Sequence, residues 1–212
     1  MNSKYILDEL LNRYINLKHL ETSVLMTVDA IIKTFGNGGK VLVCGNGGSC
    51  SDADHIVVEL MKSFENHRPP HKSLQKKLIE LSPERGELLA EKLQQGLPAI
   101  SLTAHNALIT AIANDIGGEL IFAQQVIAIG NQGDLLIGLS TSGNAQNVID
   151  ALVVAKAKGL TTIGFTGETG GKMKEWCDIL INVPETRTAF VQELHLPVYH
   201  AICMMVETEI FG

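Results

Sequence analysis

Apolar positions along this chain keep two rhythms. From residue 3 to 35 they return every three or four places (Ile6, Leu10, Tyr14, Leu17, Leu20, Val24, Val28, Ile31), which lines one face of a helix. Asn37-Gly38-Gly39 predicts its end, as a glycine C-cap does. Beyond that point, short runs alternate with helically spaced stretches. The runs 40–44 (KVLVC), 98–103 (PAISLT), 134–139 (DLLIGL), 161–165 (TTIGF) and 179–183 (ILINV) predict strands. Residues 51–64, 106–113, 118–129, 144–158, 171–176 and 188–210 predict helices. Strands that are mostly apolar throughout, interleaved with helices, predict an α/β fold with a parallel sheet covered on both faces.

One stretch breaks the rhythm. Residues 67–95, HRPPHKSLQKKLIELSPERGELLAEKLQQ, are polar and charged and hold three of the six prolines. Leu74, Leu78 and Leu81, then Leu88, Leu89 and Leu93, predict two short amphipathic helices around Ser82-Pro83. The segment reads as a helical insertion into a single domain spanning 1–212, a solvated excursion without catalytic residues.

Composition narrows the class. With 212 residues, 45% apolar and 19% charged, the chain suits one α/β domain with a proper core. A formal charge of −6 argues against nucleic acid, whose binders carry a basic stripe. No apolar run reaches the roughly 18 residues of a membrane span, and the charged amphipathic N-terminus is unlike a signal peptide, so a cytoplasmic location is expected. The four cysteines (Cys44, Cys50, Cys177, Cys203) form no CxxC and are expected as reduced thiols.

The chemistry gathers at two loops and one helix. Gly45-Asn46-Gly47-Gly48-Ser49 joins the first strand to a helix, so its glycines let backbone N–H groups approach a polar ligand. It is neither a P-loop, since no lysine follows, nor a dinucleotide fingerprint, since the third glycine is out of register. Ser140-Thr141-Ser142-Gly143-Asn144 follows the third strand and opens another helix. Three hydroxyls there suit a phosphate monoester, where one would suffice for capping. His55 and Glu59 stand four apart, 40° round a helix, so they can touch or share a metal. Gln192 and His200 roughly share a face of the last helix, whereas His195 points elsewhere and reads as structural; Pro197 is expected to kink that helix and aim His200 at the pocket.

Together KVLVCGNGGS, DADHIVVEL, AIANDIGGELIF, GDLLIGLSTSGNAQNVIDAL, TGETGGKM and VQELHLPVYH resemble the sugar isomerase (SIS) domain family, and within it the phosphoheptose isomerases. The matching stretches span most of the chain outside 67–95. The resemblance implies a three-layer αβα sandwich and a homotetramer with active sites at subunit boundaries. It implies an aldose–ketose isomerase that converts sedoheptulose 7-phosphate to D-glycero-D-manno-heptose 7-phosphate through an enediol. By position, Ser140, Thr141 and Ser142 would hold the phosphate; Asn46, Gly47 and Gly48 would line the sugar; Asn114 and Asp115 would bind its hydroxyls. Glu59 would move the proton between C1 and C2 with His200 as partner acid/base. His55, Glu59, Gln192 and His200 match zinc ligands of some members, and two imidazoles, a carboxylate and an amide oxygen suit zinc. Three departures bear on substrate choice: Ala145 and Ala189 replace family polar residues, and the insertion is longer than the family loop. The competing readings are a non-catalytic phosphosugar-binding or replication-initiation regulator, disfavoured because Glu59 and His200 are both present, and an isomerase of another sugar phosphate.

Overall fold

The computed structural model describes residues 2–212. Among them, β1 (Val41–Gly45), β2 (Ala99–Ser101), β3 (Leu135–Leu139), β4 (Thr161–Thr166) and β5 (Ile179–Asn182) form one parallel sheet in the order β2-β1-β3-β4-β5. The helices are α1 (Ser3–Arg13), α2 (Glu21–Gly36), α3 (Gly48–Met61), α4 (Lys72–Leu81), α5 (Gly86–Lys92), α6 (Asn106–Asp115), α7 (Ala123–Ile129), α8 (Gln146–Ala157) and α9 (Thr188–Phe211).

Strand side chains alternate between two cores, which is why the strand sequences carry no polar face. Val41, Val43, Leu135, Ile137, Ile163 and Ile181 pack with α1, α2, α3 and α9. Leu42, Cys44 and Leu136 point the other way, against α7 and α8. The expected αβα layering is therefore what the chain adopts.

The single helix expected over 3–35 is two helices instead. Tyr14 leaves helical geometry (φ −124°, ψ 75°), and a 3-10 stretch over Ile15–Leu20 re-phases the chain before α2. Leu17 and Leu20 are fully buried in that stretch, so the apolar pattern runs on through the break and conceals it. Likewise 118–129 divides into a 3-10 turn (Gly118–Leu120) and α7, and 171–176 is a 3-10 turn over Lys172–Trp176. Helix α9 runs on through Pro197.

The insertion does form two helices, α4 and α5, which pack mainly on each other; α4 buries none of its residues. Its base is fixed tightly. Arg68 and Glu207 are buried and paired at 2.6 Å, and the Glu207 carboxylate also accepts from the backbone N–H groups of Phe64, Glu65 and Asn66. Burial pushes Glu207 up, but these donors outweigh it and hold the carboxyl below its usual range. Arg68 in turn donates to the carbonyls of Leu60 and Glu59 at the end of α3.

Candidate functional site

Strands β1 and β3 are neighbours although β2 intervenes in sequence, so the chain reverses its strand order between them. Loops leaving the carboxyl ends of two such strands part and open a crevice, the usual ligand position in an open α/β sheet. The 45–49 and 140–144 loops are those two. They are clasped by reciprocal amide bonds: Asn46 Nδ2 donates to Asn147 Oδ1 at 2.8 Å, and Asn147 Nδ2 donates back to Asn46 Oδ1 at 2.9 Å.

The 140–144 turn is shaped for an anion. Ser140 Oγ accepts from the Ala145 N–H and Ser142 Oγ from the Asn144 N–H, which leaves each hydroxyl hydrogen free to donate. Ala145 is the N-cap of α8 and offers no side-chain cap, so the helix dipole and first-turn amides are open to a ligand. Gly143 sits at φ +66°, and a Cβ there would meet the Gly170 carbonyl at 2.3 Å. Residues 166–173 brace the turn from behind: the Gly167 N–H donates to Thr141 O, and Met173 N–H to Gly143 O.

Helix α3 begins at Gly48, where a Cβ would fall 2.4 Å from Gln192 Nε2, so the side-chain amide of α9 lies against the backbone there. Two turns on, α3 presents His55 and Glu59, with His55 Nε2 3.1 Å from Glu59 Oε1. From α9, His200 brings its own Nε2 to 3.3 Å from His55 Nε2. Burial and then His55 push the His200 imidazole below its ordinary value, with Glu59 pulling the other way, so it is neutral at neutral pH. Glu59 is buried, with Lys62 Nζ 3.5 Å away as its nearest cation.

Three Lewis-basic atoms thus meet at one point, more than one shared proton can satisfy. Ligand atoms of a tetrahedral zinc site at about 2.0–2.1 Å stand about 3.3 Å from each other, and the two contacts are close to that edge. Among the described residues no group of three His, Cys, Asp or Glu side chains is placed to hold a metal ion; the two contacts share only the edge length of such a site. Gln192 joins the site through Gly48 and makes no hydrogen bond to the other three.

Asn114 and Asp115 bond to each other at 2.7 Å on the exposed end of α6 and make no hydrogen bond to the Glu59–His200 cluster within this chain. Ala189 lies in the exposed first turn of α9. His195 is fully buried, its Nε2 3.2 Å from the Thr166 carbonyl, as suits a structural histidine. Cys44 and Cys203 are buried and the four cysteines are free thiols. Sequence reasoning overlooked Asn147, Asp52 and Tyr199, which fix the orientation of Asn46 and His55. All three lie inside motifs quoted above (DADHIVVEL, GDLLIGLSTSGNAQNVIDAL and VQELHLPVYH), but no spacing marked them out from their neighbours.

Known proteins resemble this chain along most of its length. A SIS domain model matches residues 77–167. The phosphoheptose isomerase of Burkholderia pseudomallei is 43% identical over 195 residues, covering 92% of this chain and 86% of that protein. That of Roseiflexus sp. is 38% identical over 214 residues, covering 99% and 95%. Among solved structures, the phosphoheptose isomerase of Neisseria gonorrhoeae superposes with a TM-score of 0.75 at 32% identity, covering 95% of this chain and 94% of that one.

Proposed function

We propose, from the premise that this chain belongs to the phosphoheptose isomerase family of SIS-domain proteins, that it interconverts sedoheptulose 7-phosphate and D-glycero-D-manno-heptose 7-phosphate. The observation that carries the reading is the convergence of Glu59, His55 and His200 from two helices, one of which follows the loop that Asn46 clasps to the uncapped start of α8. Sugar phosphates need both features, an anion seat and a base for the carbon next to the carbonyl.

In this reading the phosphate rests on the 140–142 hydroxyls and the first-turn amides of α8, with no cation required. Asn46, Gly47 and Gly48 line the sugar. Glu59 removes the proton from C1 or C2 and returns it to the neighbouring carbon, and neutral His200 serves the oxygens as acid and base. His55, Glu59, Gln192 and His200 would hold a zinc ion, whose chemistry when bound is to polarise the carbonyl and stabilise the enediolate. The Asn114–Asp115 pair, exposed within one chain, suits a role completed at a subunit boundary. His200 also borders a cavity of about 460 Å³ lined by Tyr5, Glu9, Arg13, Glu65 and Glu193. Exposed Tyr5, Ile15, Leu25 and Met26 on the same N-terminal elements suit a subunit interface, such as the homotetramer of this reading would need. No helix of the described residues is long and apolar enough to cross a membrane.

Purified protein incubated with sedoheptulose 7-phosphate in deuterated buffer should show the aldose and deuterium at C1/C2 by NMR, and a chelator should slow both. A Glu59→Gln variant should lose about 10²–10⁴-fold in kcat while keeping its circular dichroism spectrum. Absence of turnover and exchange across a panel of sugar phosphates would leave a binding or regulatory module.

A further inference from the structure

Tyr199 immediately precedes His200 on α9, yet it is 2% exposed and faces the other edge of His55. Its ring meets His55 and His200 edge-on, with centroids 5.4 and 5.1 Å away. Its hydroxyl stands 3.2 Å from Asp52 Oδ1 and 3.0 Å from His55 Nδ1. Asp52 lies one turn before His55 on α3, and its other oxygen, Oδ2, is buried with no hydrogen bond among the described residues.

A phenol hydroxyl carries one hydrogen; burial lifts the Asp52 carboxyl against the pull of Tyr199 and His55, and in its carboxylate form it can only accept. The Tyr199 hydrogen therefore goes to Asp52, and the oxygen is left to accept from His55, which requires the proton on Nδ1. The opposite nitrogen, Nε2, then presents a bare lone pair to Glu59 Oε1 and His200 Nε2, at 3.1 and 3.3 Å. Resting on the reading of Glu59 and His200 as the reaction centre, we propose that Tyr199, oriented by Asp52, is a positioning residue that fixes the tautomer of His55. The chain Asp52–Tyr199–His55 decides whether the nitrogen that faces the substrate or a metal carries a lone pair or a proton, much as carboxylate partners orient histidines elsewhere. Without the hydroxyl, Nδ1 has no partner, and the proton moves to Nε2, where Glu59 Oε1 is placed to accept it. The His55 lone pair then leaves the cluster.

Two substitutions break the chain at different links. Tyr199→Phe keeps the ring and removes the hydroxyl. Asp52→Asn keeps the shape, but its amide donates to the phenol oxygen and turns the phenol hydrogen toward His55 Nδ1. Both should therefore switch His55 to the Nε2–H tautomer.

The readout is long-range proton–nitrogen NMR on protein labelled with ¹⁵N-histidine and freed of metal by chelator, with His55 identified by the signal lost in His55→Gln. The expected result is Nδ1–H in the wild type and Nε2–H in both variants, with kcat falling about 10–100-fold and KM within about twofold. A wild-type His55 protonated on Nε2, or variants that lose activity with an unchanged tautomer, would overturn the proposal. Because the tautomer is read without substrate or metal, a wild type that fails to isomerise any sugar phosphate sinks the functional reading and leaves this result standing.

Discussion

His195 shows how a single residue ties the fold to pH. Burial pushes its imidazole down to about 4, against the pull of the Thr166 carbonyl, and Nδ1 has no hydrogen bond among the described residues. In the unfolded chain the same group titrates near 6.5. Between those values the unfolded state binds a proton that the native state refuses, so native stability falls as pH drops from about 6.5 toward 4. At one unit of pKa per ~1.4 kcal/mol, the full loss is about 3 kcal/mol, and about 2 kcal/mol has gone by pH 5. Urea unfolding at pH 7 and pH 5 should show that loss in the wild type, and His195→Gln should lose less by about that amount. The spacing on α9 already set His195 apart from Gln192 and His200. Its burial depends on β4, which lies some thirty residues away in sequence.

At the scale of elements, α8 is the most informative. It begins at Ala145 without a side-chain cap, while Ser140 and Ser142 spend their lone pairs on the turn itself. Ala145→Ser supplies the missing oxygen, which should accept a first-turn N–H and raise unfolding stability by about 1 kcal/mol. Its hydrogen adds a donor to the anion seat, so KM for the sugar phosphate should fall in steady-state assays. A variant with unchanged stability and unchanged KM would show that the N-terminus of α8 is not the seat. The loop and its helix were legible because serine, glycine and asparagine have local reasons to be there. The brace from residues 166–173 was not, because it is made by backbone N–H groups that any residue carries.

For the whole molecule, the α4–α5 hairpin stands apart from the sandwich. The two ends of the insertion are joined below it, by Gln95 N–H to the Arg68 carbonyl at 2.7 Å and Gln95 Nε2 to the Pro69 carbonyl at 2.7 Å. Replacing 72–92 with a short glycine–serine link should leave the thermal midpoint within a few degrees, since α4 buries nothing of its own. A collapse of the fold would show that the hairpin packs against more than itself, a second subunit included. Arg68→Met, by contrast, strands the Glu207 carboxylate in the core and should cost about 3–5 kcal/mol in urea unfolding. The sequence by itself determined the α/β class, the parallel sheet, the two helices of the insertion, and the loops and helix faces that bear the chemistry, because each follows from local periodicity or turn chemistry. It ran the N-terminal segment together as one helix, because the pattern of buried residues continues through Tyr14. That β1 and β3 lie side by side, that His200 meets His55, and that Tyr199 and Asp52 hold that ring are seen in the folded chain alone. Those contacts join residues more than ninety positions apart, and strand order and helix packing, unlike local spacing, are settled by the chain as a whole.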